Sequence, residues 1–271
     1  MPELPEVETT RRELEPRLVG RRVDRVLVRN PRLRWPIPPE LVSRLEGRRI
    51  LRLGRRAKYL LASNAAGTAL IHLGMSGSLR LVAMGEEAGP HDHVDWHLED
   101  GQALRYRDPR RFGTMLWCDG PTDRHPLLSR LGPEPFSDSF HGNWLYERSR
   151  GRRAAVKSFL MDGRTVAGVG NIYANEALFH AGIHPARPAG RVARARYHRL
   201  ACAVRRILTH SIGSGGTSLR DYVRTDGEPG RYQGRLLVYD RAGEACVRCR
   251  AALRGRTIGQ RSTVWCPLCQ R

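Results

Sequence analysis

Apolar positions change period twice along this chain. Between Glu3 and Val19, Leu4, Val7, Leu14 and Leu18 fall at helical spacing, with Glu6 and Glu8 in the first turn and Gly20 closing the segment, which predicts an amphipathic helix. From about Val23 to Cys118 the period shortens. Tyr59-Leu60-Leu61, Ala69-Leu70-Ile71 and Leu79-Arg80-Leu81-Val82 are short apolar or alternating runs. Val94, Trp96 and Leu98 alternate with polar residues, Asp100-Gly101 signals a hairpin, and Leu104 and Tyr106 resume the alternation. Several antiparallel strands of this kind predict a β-sandwich. The Pro- and Gly-bearing stretch from Gly132 to Gly142 reads as a linker. Beyond it the helical period returns. Leu200, Val204, Ile207 and Leu208 form one stripe, with Arg199, Arg205 and Arg206 elsewhere on the wheel. The stretch Gly213-Ser214-Gly215-Gly216-Thr217-Ser218 suits either a plain linker or a mobile loop over a ligand.

The overall class is therefore α+β, and 271 residues are enough for two domains with their own cores. A hydrophobic content of 40% with five Trp fits a globular chain rather than a disordered one. No apolar run reaches transmembrane length and no signal-peptide pattern is present, so a cytoplasmic protein is expected. Charge changes the picture more. The formal net charge is +20, and the basic residues recur along the whole chain, which implies a folded surface facing a polyanion. Nucleic acid fits better than an anionic membrane, because there is no basic amphipathic terminal helix or lipidation site. Of 47 Lys and Arg residues, only Lys58 and Lys157 are lysines. Arg supplies charge and phosphate contacts but keeps its proton, whereas Lys is a compact charge able to act as acid or base. Both lysines are therefore candidates for a site where guanidinium would fail.

Cys246-x2-Cys249 and Cys266-x2-Cys269 are separated by 16 residues, the spacing of a four-thiolate structural zinc site on two turns joined by a hairpin. One structural Zn2+ is expected, with no open position for chemistry. Arg254, Arg256 and Arg261 inside the hairpin make it a basic finger. Cys118 and Cys202 remain as reduced thiols. The start, Met1-Pro2-Glu3-Leu4-Pro5-Glu6, has two readings. Pro2 and Pro5 suit a lead-in to the first helix. Alternatively, removal of Met1 leaves a secondary amine with a carboxylate beside it. An N-terminal amine has a pKa near ~8, so a useful fraction is neutral and able to attack a sugar aldehyde carbon.

Other motifs are weaker. His91-x-His93-x-Asp95 resembles a metallohydrolase ligand set, but Trp96 stands where the next His belongs and no other cluster supplies the missing ligands. A phosphate contact or strand-start packing suits His91 and His93 better. Gly168-Val169-Gly170-Asn171 lacks the third Gly of a dinucleotide loop, and reads as a tight turn into a helix near Ile172 whose N–H groups suit a phosphate. Asp108-Pro109-Arg110-Arg111-Phe112-Gly113 and Leu73-Gly74-Met75-Ser76-Gly77 place Arg, Phe and Met on turns, which suits insertion into a duplex.

In order along the chain, PELPEVET, RRAKYLL, HLGMSGSLR, HDHVD, DPRRFG, LGPEP, VGNIYANEALF and QRSTVWCPLCQ together resemble the bacterial formamidopyrimidine-DNA glycosylases over essentially the whole length. That resemblance implies an N-terminal antiparallel β-sandwich with flanking helices, a C-terminal helix-two-turn-helix domain and a four-cysteine zinc finger. The expected boundaries are 1–133 for the sandwich, 134–148 for a linker, 149–233 for the helical domain and 237–271 for the finger. It implies a monomer that binds duplex DNA, removes oxidised purines such as 8-oxoguanine and formamidopyrimidines, and cuts the abasic strand by β,δ-elimination in base excision repair. Pro2 would be the nucleophile, Glu3 the acid/base, Lys58 a proton-transfer and phosphate group, and Arg261 a phosphate holder for δ-elimination. Met75, Arg110 and Phe112 match residues that fill the vacated stack. His72, His91, Arg152, Lys157 and Asn171 match DNA-contacting positions, with Arg152 inside a basic run, Arg150 to Arg153, whose register the motif leaves open. Ser214 to Tyr232 contains the expected base-covering loop. An endonuclease VIII-like enzyme for oxidised pyrimidines and a non-catalytic zinc-ribbon DNA-binding protein are the alternatives.

Overall fold

The structure, a computed structural model, describes residues 2–218, 224–225 and 227–271. The chain forms two compact units, 1–129 with 212–233, and 130–211 with 234–271.

The first unit opens with helix α1 (Leu4–Leu18), which has Pro5 in its first turn, Glu6 at its positive end and Arg17 at its negative end. Strand β1 (Arg22–Val28), helix α2 (Pro39–Leu45) and strands β2 (Arg48–Arg49), β3 (Arg52–Arg56), β4 (Tyr59–Asn64) and β5 (Gly67–His72) follow. Strands β6 (Ser78–Ala83), β7 (Asp92–Leu98), β8 (Gln102–Arg107) and β9 (Thr114–Cys118) complete the expected sandwich. Two antiparallel sheets result, in the orders β2-β1-β7-β8-β6 and β3-β4-β5-β9. Val7, Leu14 and Leu18 of α1 share one core with Val26, Trp96 and Leu104 of the larger sheet and Leu60, Ile71 and Met115 of the smaller.

Strand β7 departs from simple alternation. Val94, Trp96 and Leu98 are buried as the pattern predicts, but His93 and Asp95 on the intervening positions are buried too. Asp95 accepts Arg105 Nε at 3.0 Å, Arg105 Nη2 at 2.8 Å and Arg29 Nη2 at 2.7 Å. Arg105 also donates to the carbonyls of Glu86 and Glu87, so the β6–β7 loop covers this face. Burial by itself raises the Asp95 pKa, but the Arg105 and Arg29 hydrogen bonds outweigh it and hold the carboxyl below its usual range.

The second unit contains α3 (Gly142–Ser149), α4 (Val156–Met161), α5 (Asn171–Ala181) and most of α6 (Arg194–Gly213), with hairpin strands β10 (Arg254–Ile258) and β11 (Arg261–Trp265). Helix α5 is buried on nearly every side and stops at Gly182, whose φ of +68° supplies the left-handed cap. On α6 the predicted stripe of Leu200, Val204, Ile207 and Leu208 is buried. Arg205 turns from the wheel's other side to donate to the carbonyls of Pro135 and Ser137, each at 2.8 Å, and so ties down the stretch before α3. Strands β10 and β11 pair from Arg254↔Trp265 to Ile258↔Arg261 across Gly259 and Gln260, which have φ of +55° and +60° and so form a tight primed turn.

Glu8 anchors α1 to the smaller sheet. Burial raises its pKa, but hydrogen bonds from Arg11, Arg12 and Arg55 outweigh that and hold the carboxyl at about 2. An acid whose folded pKa lies below its unfolded value adds stability above the unfolded value and loses it as pH falls through the folded one. For Glu8 that window runs from 4.5 down to about 2. Glu8→Gln is expected to lower the unfolding temperature at neutral pH and to flatten its decline across that window in an acid titration of thermal unfolding. An unchanged acid limb would show that Glu8 contributes nothing to it.

Candidate functional site

The sequence-derived candidates divide between the two units. In the first unit, Pro2 and Glu3 are buried at the start of α1, with Glu3 only 2% exposed. The Glu3 N–H donates to Glu6 Oε2 at 2.8 Å, and Glu6 Oε1 accepts the Thr217 N–H at 2.8 Å. Glu6, which in the sequence is only a helix-start charge, therefore joins the chain start to the Gly-rich segment. Thr217 also forms an isolated β-bridge with Arg231, and Gly215 and Gly216 adopt φ of +76° and +83°. This stretch is a fixed loop base rather than a plain linker. Residues 219–223 and 226 of the expected base-covering loop lie outside the described residues.

Helix α1 lies antiparallel to β3, since Arg55 Nε donates to Glu8 at 3.0 Å and Arg11 Nη1 to the Leu53 carbonyl at 3.4 Å. The two-residue turn from β3 to β4, Ala57-Lys58, is thereby brought alongside the helix start that carries Pro2 and Glu3. Ala57 has a φ of +52°, and Lys58 is half-buried. Burial, then the charges of Lys58 and Arg34, hold the His72 pKa at about 4, so the ring is neutral at physiological pH. His72 Nδ1 accepts the Gly74 N–H at 2.9 Å, which puts the ring proton on Nε2 as a donor.

Met75 and the Arg110–Phe112 pair occupy two sandwich crossovers, 73–77 between β5 and β6 and 108–113 between β8 and β9. Phe112 is 45% exposed and the Arg110 guanidinium lies 4.9 Å from its ring centroid. His91 is half-buried at the entry to β7. His93 Nε2 meets the Asp108 carbonyl at 2.8 Å while Asp95 is ion-paired, so these two members of the motif are committed to packing.

In the second unit, Lys157 is fully buried, and its ammonium donates to the Ser262 carbonyl at 2.7 Å and Thr263 Oγ1 at 2.6 Å. Asn171 Nδ2 reaches the same Ser262 carbonyl at 3.1 Å. Both residues thus hold the beginning of β11, where exposed Arg261 stands immediately after the hairpin turn. Arg150 is tied to the Val192 carbonyl and stacked on Tyr146, whereas Arg152 is exposed. Two residues of α5 escaped sequence reading because nothing local marks them. Asn175 Oδ1 accepts the Val264 N–H at 2.9 Å. Glu176, 1% exposed, accepts the N–H groups of Leu237, Val238 and Tyr239 at 3.0, 2.9 and 2.9 Å.

The sulfurs of Cys246, Cys249, Cys266 and Cys269 lie within 4.8 Å of one another, the one such metal-binding group among the described residues. A tetrahedral zinc with ~2.3 Å bonds needs sulfurs roughly 3.8 Å apart. The Cys246–Cys269 and Cys249–Cys266 separations are 4.0 and 3.4 Å. The N–H groups of Arg248 and Cys269 point at Cys246 Sγ and Cys266 Sγ, each at 3.4 Å, as thiolate acceptors require. The residues fit one structural zinc ion.

Comparison with known proteins agrees with this arrangement. The family model of the formamidopyrimidine-DNA glycosylase N-terminal domain matches residues 1–115, that of the formamidopyrimidine-DNA glycosylase H2TH domain matches 131–223, and that of the zinc finger found in FPG and IleRS matches 243–271. The chain is 60% identical to the formamidopyrimidine-DNA glycosylase of Stutzerimonas stutzeri and 59% to that of Pseudomonas aeruginosa, each over 271 residues and the full length of both chains. Among solved structures, MutM (Fpg) from Thermus thermophilus shares 40% identity at a TM-score of 0.89, covering 99% of this chain and 98% of that one. Lactococcus lactis Fpg in complex with abasic-site DNA shares 34% identity at a TM-score of 0.92, with full coverage of both.

Two outcomes test the second unit. Glu176→Ala leaves the buried Val238 N–H and the half-buried Leu237 and Tyr239 N–H groups without their acceptor and is expected to cost about 3 kcal/mol, read by denaturant unfolding, with Glu176→Gln milder. Cys266→Ser is expected to lose zinc by metal analysis and lower the unfolding temperature, since zinc binding is folding free energy in such modules. Retained zinc in that variant would refute the four-thiolate site.

Proposed function

The chain belongs to the formamidopyrimidine-DNA glycosylase family, and from that premise we propose that it excises oxidised purines from duplex DNA and then cuts the abasic strand. The substrates are 8-oxoguanine and formamidopyrimidine lesions. The observation that carries this reading is the buried, hydrogen-bonded chain start, with Glu3 fixed next to Pro2 and the Lys58 turn alongside. A terminal secondary amine in that position is a preorganised nucleophile.

The Pro2 nitrogen, freed of Met1, attacks the sugar C1′ as the damaged base departs with its bonding electrons. Glu3 protonates the sugar ring oxygen, which opens the ring and leaves an iminium between Pro2 and C1′. The iminium draws electrons, so a base removes the 2′ proton and the 3′ phosphate leaves. A second proton loss expels the 5′ phosphate, and hydrolysis of the iminium frees the amine. Lys58 supplies proton transfer and a compact charge for the phosphate. Arg261, presented by the hairpin that Lys157 and Asn171 hold, grips phosphate during the second elimination. His91 and Arg152 add DNA contacts, and neutral His72 offers its Nε2 proton as a donor. Four thiolates leave zinc no open position, so the metal folds the finger and takes no part in bond breaking. Among the described residues no helix is long and apolar enough to cross a membrane. Action on DNA fits a cytoplasmic protein associated with the nucleoid.

Incubation with a duplex carrying one 8-oxoguanine opposite cytosine, in the presence of borohydride, is expected to give a covalent adduct that maps to Pro2. Glu3→Gln is expected to slow excision by about 10²–10⁴-fold, the usual contribution of a positioned acid or base. Pro2→Gly should bind DNA yet excise poorly, and full activity in that variant would sink the assigned nucleophile. Affinity should fall linearly in log–log form with salt as phosphate contacts release counterions.

A further inference from the structure

The two turns that carry Met75 and the Arg110–Phe112 pair are far apart in sequence and join opposite sheets, yet one carboxylate ties them together, reinforced where the Arg110 N–H also donates to Ser76 Oγ at 3.2 Å. Asp108 is fully buried. Its Oδ1 accepts the Ser76 hydroxyl at 2.7 Å and the Arg110 N–H at 3.3 Å. Its Oδ2 accepts the Tyr106 hydroxyl at 3.0 Å and the Gly113 N–H at 2.8 Å. One carboxylate therefore touches the residue after Met75, the backbone of Arg110, the residue after Phe112 and a core tyrosine of β8. All four donors are uncharged, and each oxygen faces one hydroxyl and one backbone N–H. An amide in this place would turn an NH2 against a backbone N–H in either orientation.

The backbones beside the carboxylate are equally close. A Cβ on Gly74 would meet Gly113 N and Phe112 C at 2.4 Å, and one on Gly113 would meet Tyr106 Oη at 1.8 Å. Arg111, between the two inserting residues, adopts a φ of +54°, a strained conformation for a side chain of its size. That strain is held where the Arg111 N–H meets the Asp108 carbonyl at 3.2 Å and the Asp108 N–H meets the His91 carbonyl at 3.0 Å.

We propose that Asp108 is the positioning residue that makes the Met75 turn and the Arg110–Phe112 turn a single rigid wedge for extruding the damaged base. The inference rests on the glycosylase reading above, in which these three side chains fill the vacated stack. Forcing a side chain into a base stack meets resistance from unstacking, and turns that moved independently would recoil. The carboxylate is closed off from DNA by its own donors and touches no reacting atom. Its loss should therefore affect entry of the lesion far more than the chemistry at Pro2.

Three substrates separate these effects. A duplex with a preformed abasic site needs no base extruded and reports Pro2 chemistry by borohydride trapping. Duplexes with 8-oxoguanine opposite cytosine and opposite adenine report extrusion and choice of the orphaned base under single turnover. A 2-aminopurine beside the lesion reports unstacking by its fluorescence. For Asp108→Asn, excision opposite cytosine is expected to slow about tenfold or more, given the loss of buried hydrogen bonds. The cytosine-over-adenine ratio should shrink and the fluorescence rise should be delayed, while abasic-site trapping changes by less than about threefold. Ser76→Ala removes one donor to the carboxylate and the Oγ that accepts the Arg110 N–H at 3.2 Å, while the other three Asp108 contacts remain, so it should shift the same readouts in the same direction by less. It decides the question if Asp108→Asn does not fold by circular dichroism. Equal slowing on abasic and lesion duplexes, or wild-type fluorescence and base ratio in Ser76→Ala, would overturn the proposal. Phe112→Ala separates the two claims. If it impairs extrusion and the Asp108 and Ser76 variants do not, only the tie between the turns is refuted. If Phe112→Ala is also silent, the wedge itself and the inference built on it both fall.

Discussion

A terminal amine can serve as a nucleophile only if the chain end, ordinarily the least ordered part of a protein, is held still, and here Glu6 does the holding. One oxygen of its carboxylate accepts the Glu3 N–H and the other the Thr217 N–H, so the start of α1 and the base of the Gly-rich loop share an anchor. The constraint then propagates. Helix α1 can carry that end only because Glu8 and Arg11 fix it along β3, and that alignment brings the Lys58 turn beside the start. The sandwich below is the rigid body on which these short-range geometries are measured. Buried charge on β7 and β8 fits the same logic, since Asp95 and Arg105 lock the sheet that feeds the Asp108 turn.

In the second unit the equivalent part is played by polar side chains of α5. Asn171, Asn175 and Glu176 follow one another along the helix and bond in turn to Ser262, Val264 and the 237–239 backbone. A module as small as the finger has little core of its own, only a cluster around Phe179, Val238, Leu253 and Val264 with the buried Cys246 and Cys266. Zinc closes it from within, and α5 fixes it from outside. Placing Arg261 therefore depends on both a metal site and a helix far away in sequence.

Much of this was legible beforehand. The helical period before Gly20, the strand runs from Tyr59 to Tyr106, the stripe on α6 and the paired cysteines are local patterns, and each produces the predicted element. What stayed hidden is long-range. Nothing near Asp108 says that it meets Ser76, because that contact exists only once β6 and β8 have paired. Alternation on β7 marked His93 and Asp95 as outward, and they do leave the apolar core. Asp95 is nonetheless buried with Arg105, which the covering loop holds, and His93 is buried against the Asp108 carbonyl, which no period can announce. Glu176 looks like any helix glutamate until the 237–239 backbone arrives to donate to it.

The two lysines show how far a bare count can reach. Their rarity among 45 arginines marked both as places where guanidinium fails, and the two stand in very different surroundings. Lys157 sits in a fully enclosed space where a compact ammonium aims two hydrogens at a carbonyl and a hydroxyl of adjoining residues. A planar guanidinium is wider, carries five donors, and would leave several buried and unmatched. Lys58 is only half-buried, so size does not exclude arginine there. Its distinction is chemical: it stands in a two-residue turn beside the helix start, near enough to His72 for its charge to help hold that ring neutral. A group meant to pass protons next to an N-terminal amine must be able to lose one, and guanidinium does not. Shape accounts for Lys157, and for Lys58 the proposed elimination chemistry supplies the reason, since it calls for a group that can give up a proton.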